Sequence, residues 1–175
     1  KSTLLKKKGF DTAVVEVSEF DINGEIDFFN DVKLLIISIP PGLRKNPDRN
    51  YIAIIEQIIN KIELTGIEKV IFTSSTSVYG NQAEIITEES ELLGTTDAAR
   101  QIIAVEKKLL EHKQFESCIL RLGGLVGPNR HPIFTLSGKK NIPNPLSPIN
   151  FIHQQDAVSI ILHIIEHWQG NQVYN

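Results

Sequence analysis

Five hydroxyl-bearing residues in a row, Thr73-Ser74-Ser75-Thr76-Ser77, follow the apolar run Val70-Ile71-Phe72 and close at Val78-Tyr79-Gly80. A serine hydroxyl can both donate and accept a hydrogen bond, so such a run can hold a carbonyl, hydroxyl or amide of a ligand. In an open α/β sheet, ligands gather outside the carboxyl ends of the strands, which is where this run would lie. The competing reading is a Ser/Thr-rich turn that satisfies its own backbone. A second candidate is Arg130-His131, placed in a loop after Gly127-Pro128 with Lys139-Lys140 nearby. A guanidinium beside an imidazole suits a phosphate or carboxylate, although a loop arginine can also be merely solvated. The third, His163-Ile164-Ile165-Glu166-His167, matches H-x-x-E-H, a spacing that on a helix can present two zinc ligands and a base. Asp156, Ser159, His163, Glu166, His167 and Gly170 also form the polar stripe of an amphipathic helix, and eight residues remain to supply a third ligand. No metal is therefore assigned.

These residues need elements to position them. Lys6-Lys7-Lys8 before Gly9 reads as a helix end, and Thr12–Val17 as a short strand followed by a polar connection through Asn23-Gly24. Val32–Ile39 is a nearly continuous apolar run stopped by Pro40-Pro41-Gly42, the pattern of a strand buried on both faces. Tyr51, Ile54, Ile55, Ile58, Ile59 and Ile62 recur at helical spacing, predicting a helix over Asn50–Thr65. Lys69–Thr73 is the next strand, then a connection carrying Glu84, Glu88, Glu89 and Glu91. A second helix follows over Asp97–Glu111, with Ala98, Ile102, Val105 and Leu109 as its buried stripe. Ser117–Leu122 forms a strand, Gly123–Pro148 a Gly/Pro/Asn-rich ligand-facing loop, Asp156–Trp168 a last helix, and Val173-Tyr174 the start of a strand. Strands alternating with helices of this length imply a parallel sheet covered on both faces.

The chain's 175 residues, 41% hydrophobic and 22% charged, are ordinary for one globular domain. A net charge of −3 gives no electrostatic case for nucleic acid. Cys118 is the single cysteine and cannot close an internal disulfide, so a reducing, cytoplasmic setting is expected, with no membrane partner because no apolar stretch approaches the roughly 18 residues of a span. The chain starts at Lys1 and contains no methionine, so the expectation is a fragment of a longer product.

Four segments together resemble the extended short-chain dehydrogenase/reductase family, the NAD-dependent epimerase/dehydratases. Phe72–Gly80 is similar to its "SS-x-x-VYG" strand end, and Glu106 with Leu109 to the end of its catalytic helix. Arg121–Pro128 is similar to its "R-x-x-x-x-x-GP" segment and Asn150–Val158 to its "x-FIH-x-x-D-x-A" segment. The combination covers roughly residues 30–175, and "TSSTSVYG" with "GLVGPNRHP" resembles the YeeZ-type branch of atypical members. The resemblance implies a Rossmann-like, doubly wound α/β fold with helices on both faces and the N-terminal βα unit missing. It makes 1–175 a single NAD(P)-binding domain with 124–155 as a substrate-side loop region. It also implies NAD or NADP as cofactor, an anionic small-molecule substrate such as a nucleotide-sugar, and a homodimer formed through the helices at 50–65 and 97–111.

By the same resemblance, Ile39, Pro40 and Pro41 pass the cofactor's ribose and phosphate, Ser74 and Ser75 lie beside the nicotinamide, and Gly123, Gly124 and Leu125 pass its carboxamide. Ser75 is the catalytic candidate, and Thr76, Ser77, Arg130 and His131 bind substrate. Two departures stand out. The family's Tyr-x-x-x-Lys pair aligns with Ala98 and Ile102, which cannot titrate, so its usual proton transfer has no base here. No G-x-G-x-x-G occurs, and Gly123-Gly124-Leu125-Val126-Gly127 imitates it only loosely. A catalytically silent dinucleotide sensor is the alternative reading, and a zinc hydrolase rests on the last helix alone.

Overall fold

The computed structural model describes residues 2–82, 85–142 and 148–175; Glu84 and the 143–147 portion of the substrate-side loop lie outside them. The first helix, α1 (Ser2–Lys7), ends as its basic tail predicts, with Gly9 at φ +84° and its N–H donating to the Lys6 carbonyl at 3.0 Å. Next, β1 (Val15–Val17) and β2 (Ile22–Gly24) pair antiparallel, Val15 opposite Gly24. The strand expected over Thr12–Val17 is thus shorter and outside the parallel sheet, and the expected polar connection at Asn23-Gly24 is itself a strand. A local turn is the cause: Ser18 N–H donates to the Asp21 carbonyl at 2.9 Å and Asp21 N–H to Ser18 Oγ at 3.0 Å, folding the chain onto its nearest partner. Gly24 sits at φ +99° against the Val14 carbonyl, where an added Cβ would stand 2.3 Å from that oxygen.

The remaining elements alternate: β3 (Leu34–Ile37), α2 (Tyr51–Glu63), β4 (Lys69–Ser75), α3 (Asp97–Leu110), β5 (Glu116–Leu122), β6 (Gly124–Val126), α4 (Ile133–Leu136), β7 (Phe151–His153), α5 (Gln154–Glu166) and β8 (Gln172–Tyr174). Four strands form one parallel sheet in the order β3-β4-β5-β8, and β6 pairs with β7 in a small parallel sheet beyond the end of β5. Successive side chains of a strand face opposite ways, so Val70 and Phe72 meet α2 and α3 while Ile71 meets α5. Both faces are dry along β4 and β5, which explains their nearly uninterrupted apolar runs.

One layer holds Ile55, Ile58 and Ile62 of α2 with Val105 and Leu109 of α3; the other holds Ile164 of α5 with Ile71, Cys118 and Leu120. Each fully buried isoleucine contributes roughly 1.5–3 kcal/mol. The three long helices are capped at their starts. Asn50 Oδ1 accepts from Ala53 N–H, Thr96 Oγ1 from Ala99 N–H and His153 Nδ1 from Gln155 N–H, so α5 begins at Gln154, before the expected Asp156. Gln101 of α3 adds a fourth cap in trans, its Oε1 accepting Tyr51 N–H of α2 at 2.6 Å. Among the described residues no helix is long and apolar enough to cross a membrane.

Candidate functional site

The carboxyl ends of β3, β4 and β5 open onto a cavity of about 940 Å³. That volume lies within the usual range for small-molecule sites, roughly 300–1,000 Å³. Its floor is the hydroxyl strand end, with Thr73, Ser74 and Ser75 beside Phe72; one side is Ser38, Ile39, Pro40 and Pro41 after β3, the other Leu122, Gly123, Gly124 and Leu125 after β5. Arg44 and Arg130 are its cationic lining residues, His131 adds an imidazole, and no carboxylate is among the described residues that line it.

Local chemistry explains each position. The loop after β3 is pinned from α2 and the residues just before it: Tyr51 Oη donates to the Ile39 carbonyl at 2.7 Å and Arg49 Nη1 to the Pro41 carbonyl at 3.3 Å. Burial holds the Tyr51 phenol well above the usual tyrosine range, with Arg49 opposing weakly, so it serves as a donor and not as a base. Arg130 reaches the cavity from a turn in which its N–H donates to the Gly127 carbonyl at 3.0 Å and Asn129 takes φ +60°. Ile133 N–H donates to His131 Nδ1 at 3.1 Å, which leaves Nε2 for a ligand.

Beneath the floor lies a buried polar network. Glu106 of α3 and Arg121 of β5 are 1% and 5% exposed and form an ion pair through Arg121 Nη2 and Nε, at 2.8 and 3.1 Å from Glu106 Oε2. Ser74 Oγ donates to Glu106 Oε1, and Arg121 Nη1 donates to Tyr79 Oη at 2.7 Å. Burial opposes the charge on Arg121, but its bonds to Glu106 and Tyr79 outweigh that and hold its pKa above the usual arginine value. Tyr79 Oη in turn donates to Asn175 Oδ1 at 2.8 Å, so this phenol is buried and fully engaged.

The structure therefore brings Ile39, Pro40, Pro41, Ser74, Ser75, Gly123, Gly124, Leu125, Arg130 and His131 to one cavity. It does not bring Thr76 and Ser77 there. Both enter a 3-10 turn over Thr76–Tyr79, whose first N–H groups are capped when Ser75 Oγ accepts from Ser77 N–H at 3.2 Å, and Ser77 faces solvent. The glycines after β5 have a packing explanation: a Cβ on Gly123 would stand 2.9 Å from the Asn150 carbonyl and one on Gly124 2.6 Å from the Phe151 ring, because β7 lies against them. Gly124 N–H already donates to the Asn150 carbonyl. Ala98 of the expected stripe is half-buried while Ala99 is buried, and Ile102 lines the cavity. On α5 the His163 and His167 rings stack on each other with centroids 4.2 Å apart, and among the described residues no group of three or more His, Cys, Asp or Glu is placed to hold a metal.

Sequence reasoning missed Arg44, Phe134 and Phe151 in the cavity wall and the burial of the Glu106–Arg121 pair. A signal for the pair existed: Arg121 interrupts the apolar run Cys118-Ile119-Leu120, and a charge inside a buried strand demands a partner. Arg44 gave none, being one of several cations in a polar loop.

The model of the NAD dependent epimerase/dehydratase family matches residues 48–175, most of the chain and the cavity lining from Tyr51 onward. The chain belongs to that family. Protein YeeZ of Escherichia coli K12 is 30% identical over 151 residues, which is 86% of this chain and 55% of YeeZ, so the chain spans about half the length of this relative. Two solved structures share the fold: RMD from Pseudomonas aeruginosa complexed with NADPH (TM-score 0.68, 18% identity, 91% of this chain and 65% of that one), and dTDP-glucose 4,6-dehydratase from Bacillus anthracis in complex with NAD (TM-score 0.65, 20% identity, 83% and 51%). The doubly wound Rossmann-type architecture expected from the sequence is the one found, and these two structures share its fold.

Proposed function

We propose that this epimerase/dehydratase chain binds NAD or NADP at the cavity and holds an anionic substrate, of nucleotide-sugar type, beside the nicotinamide. The observation that carries this reading is the convergence of Ser75, the Gly123–Leu125 backbone, Arg44, Arg130 and His131 on one cavity free of carboxylates among its described lining residues. The residues present suit the nicotinamide half of a dinucleotide: an apolar wall from Phe72, Ile102 and Leu122, hydroxyls from β4, and glycine backbone that lets a ring approach closely. When bound, the cofactor would supply hydride transfer. Around it, Ser75 has an O–H free to donate to the substrate's reacting oxygen, because its Oγ lone pair already accepts from Ser77. Arg44 and Arg130 would neutralise the anionic end, and His131 would help orient it through Nε2.

Proton transfer is where this member departs from its family. Ala98 and Ile102 hold the positions of the tyrosine and lysine, and Tyr79 and Tyr51 are both buried donors to protein acceptors. That observation favours a second reading, a dinucleotide sensor with no turnover. Anaerobic incubation with NAD or NADP and a panel of nucleotide-sugars, followed at 340 nm and by product chromatography, separates them. Product formation that falls at least about a hundredfold in Ser75→Ala supports catalysis, on the usual scale of losing one transition-state donor. Bound cofactor that no substrate reduces or converts leaves the sensor.

A further inference from the structure

Ser74 and Ser75 are neighbours in sequence, both line the cavity, and the structure gives them opposite hydrogen-bonding polarity. A serine hydroxyl has one proton to donate and two lone pairs with which to accept. Ser74 commits its proton to Glu106 Oε1. Glu106 cannot return the favour, because Arg121 places Nε and Nη2 on the same carboxylate, at 3.1 and 2.8 Å from Oε2, and an ionised carboxylate only accepts. Both charged groups are buried, so no water competes for these bonds. What Ser74 can offer the cavity is a lone pair. Ser75, whose Oγ accepts from Ser77 N–H, can offer its O–H.

We propose that the Glu106–Arg121 pair fixes Ser74 as an acceptor toward the cavity, and that Ser74 takes an N–H of the nicotinamide carboxamide; this rests on the cofactor reading above. The Gly124 N–H nearby is already committed to the Asn150 carbonyl and is not offered to the ligand. Ser74 touches the cofactor, and Glu106 is a positioning residue that acts through it. The division of labour follows: Ser75 donates to the reacting oxygen and Ser74 selects the cofactor ring and its orientation.

The test compares each dinucleotide with its 3-acetylpyridine analogue, in which a methyl replaces the carboxamide NH2, by calorimetric titration of the complete protein. Wild type should prefer the carboxamide by roughly three- to tenfold, the size of one neutral hydrogen bond. In Ser74→Ala that ratio should fall to about one, whatever happens to absolute affinity, and a role confined to folding would not move a ratio of two ligands. In Glu106→Gln the amide oxygen turns to Arg121 and its NH2 to Ser74, which frees the Ser74 O–H to point into the cavity; the preference should be lost or inverted while the dichroism spectrum is kept. Equal binding of both ligands by wild type, or a preference that persists in Ser74→Ala, overturns the inference and leaves the cofactor reading standing. No binding of either dinucleotide by wild type removes both.

Discussion

Replacing Arg121 by methionine isolates the buried network from the fold around it. The side chain is 5% exposed and its guanidinium bonds Glu106, Tyr79 and the Glu88 carbonyl. Methionine keeps most of the volume and leaves Glu106, 1% exposed, as a buried carboxylate held only by Ser74. Stranding one partner of a buried ion pair costs about 3–5 kcal/mol. With a urea slope of about 2 kcal/mol per molar, the unfolding midpoint should fall by about 2 M. The double variant Arg121→Met with Glu106→Leu removes the stranded charge and should recover most of that loss, because the cost lies in the unpaired ion and not in the missing attraction. Urea unfolding followed by far-UV dichroism at pH 7 measures both. A single variant within about 1 kcal/mol of wild type, or a double variant less stable than the single, would refute the placement of this pair as a buried, mutually dependent unit.

Tyr51→Phe removes the bond to the Ile39 carbonyl and should cost about 1 kcal/mol at pH 7. Because burial raises the folded phenol above its ordinary value of 10.0, wild-type stability is intact below that pH and declines as pH rises above it, a decline the phenylalanine variant should lack; unfolding between pH 9 and 11 shows the difference. Cys118, buried with its thiol pushed up by that burial, should resist a disulfide reagent at pH 8 until urea unfolds the chain, and fast labelling of native protein would contradict its place under α5. Arg44→Ala should weaken dinucleotide or substrate-anion binding by roughly tenfold in low salt and less as ionic strength rises, read by titration at two salt concentrations.

Much of the fold was legible because each main element announced itself by a local pattern. The period of the isoleucines gave α2, the proline pair ended the strand run at β3, and the Lys69–Leu122 segment carried two strands dry on both faces with a helix between. The β1–β2 hairpin was not legible, since its two strands are three residues each and a turn at Ser18–Asp21 decides their pairing. The same limit holds for the site. Strand-end residues such as Ser74 and Ser75 are fixed by topology and could be placed from sequence, while Arg44 of the loop after β3, Phe134 of α4 and Phe151 of β7 come from separate parts of the chain whose convergence is a tertiary fact. Thr76 and Ser77 share the hydroxyl run but leave the cavity because the chain turns immediately after Ser75.

The central claim is that this cavity binds a nicotinamide dinucleotide. Calorimetric titration of NAD, NADH, NADP and NADPH, each separately, into the complete protein tests it most directly. Binding of at least one in the micromolar range, lowered by Gly123→Ala, whose Cβ would press on the Asn150 backbone, is the expected result. No heat and no saturation with any of the four at millimolar ligand would contradict it and leave a borrowed fold serving another ligand.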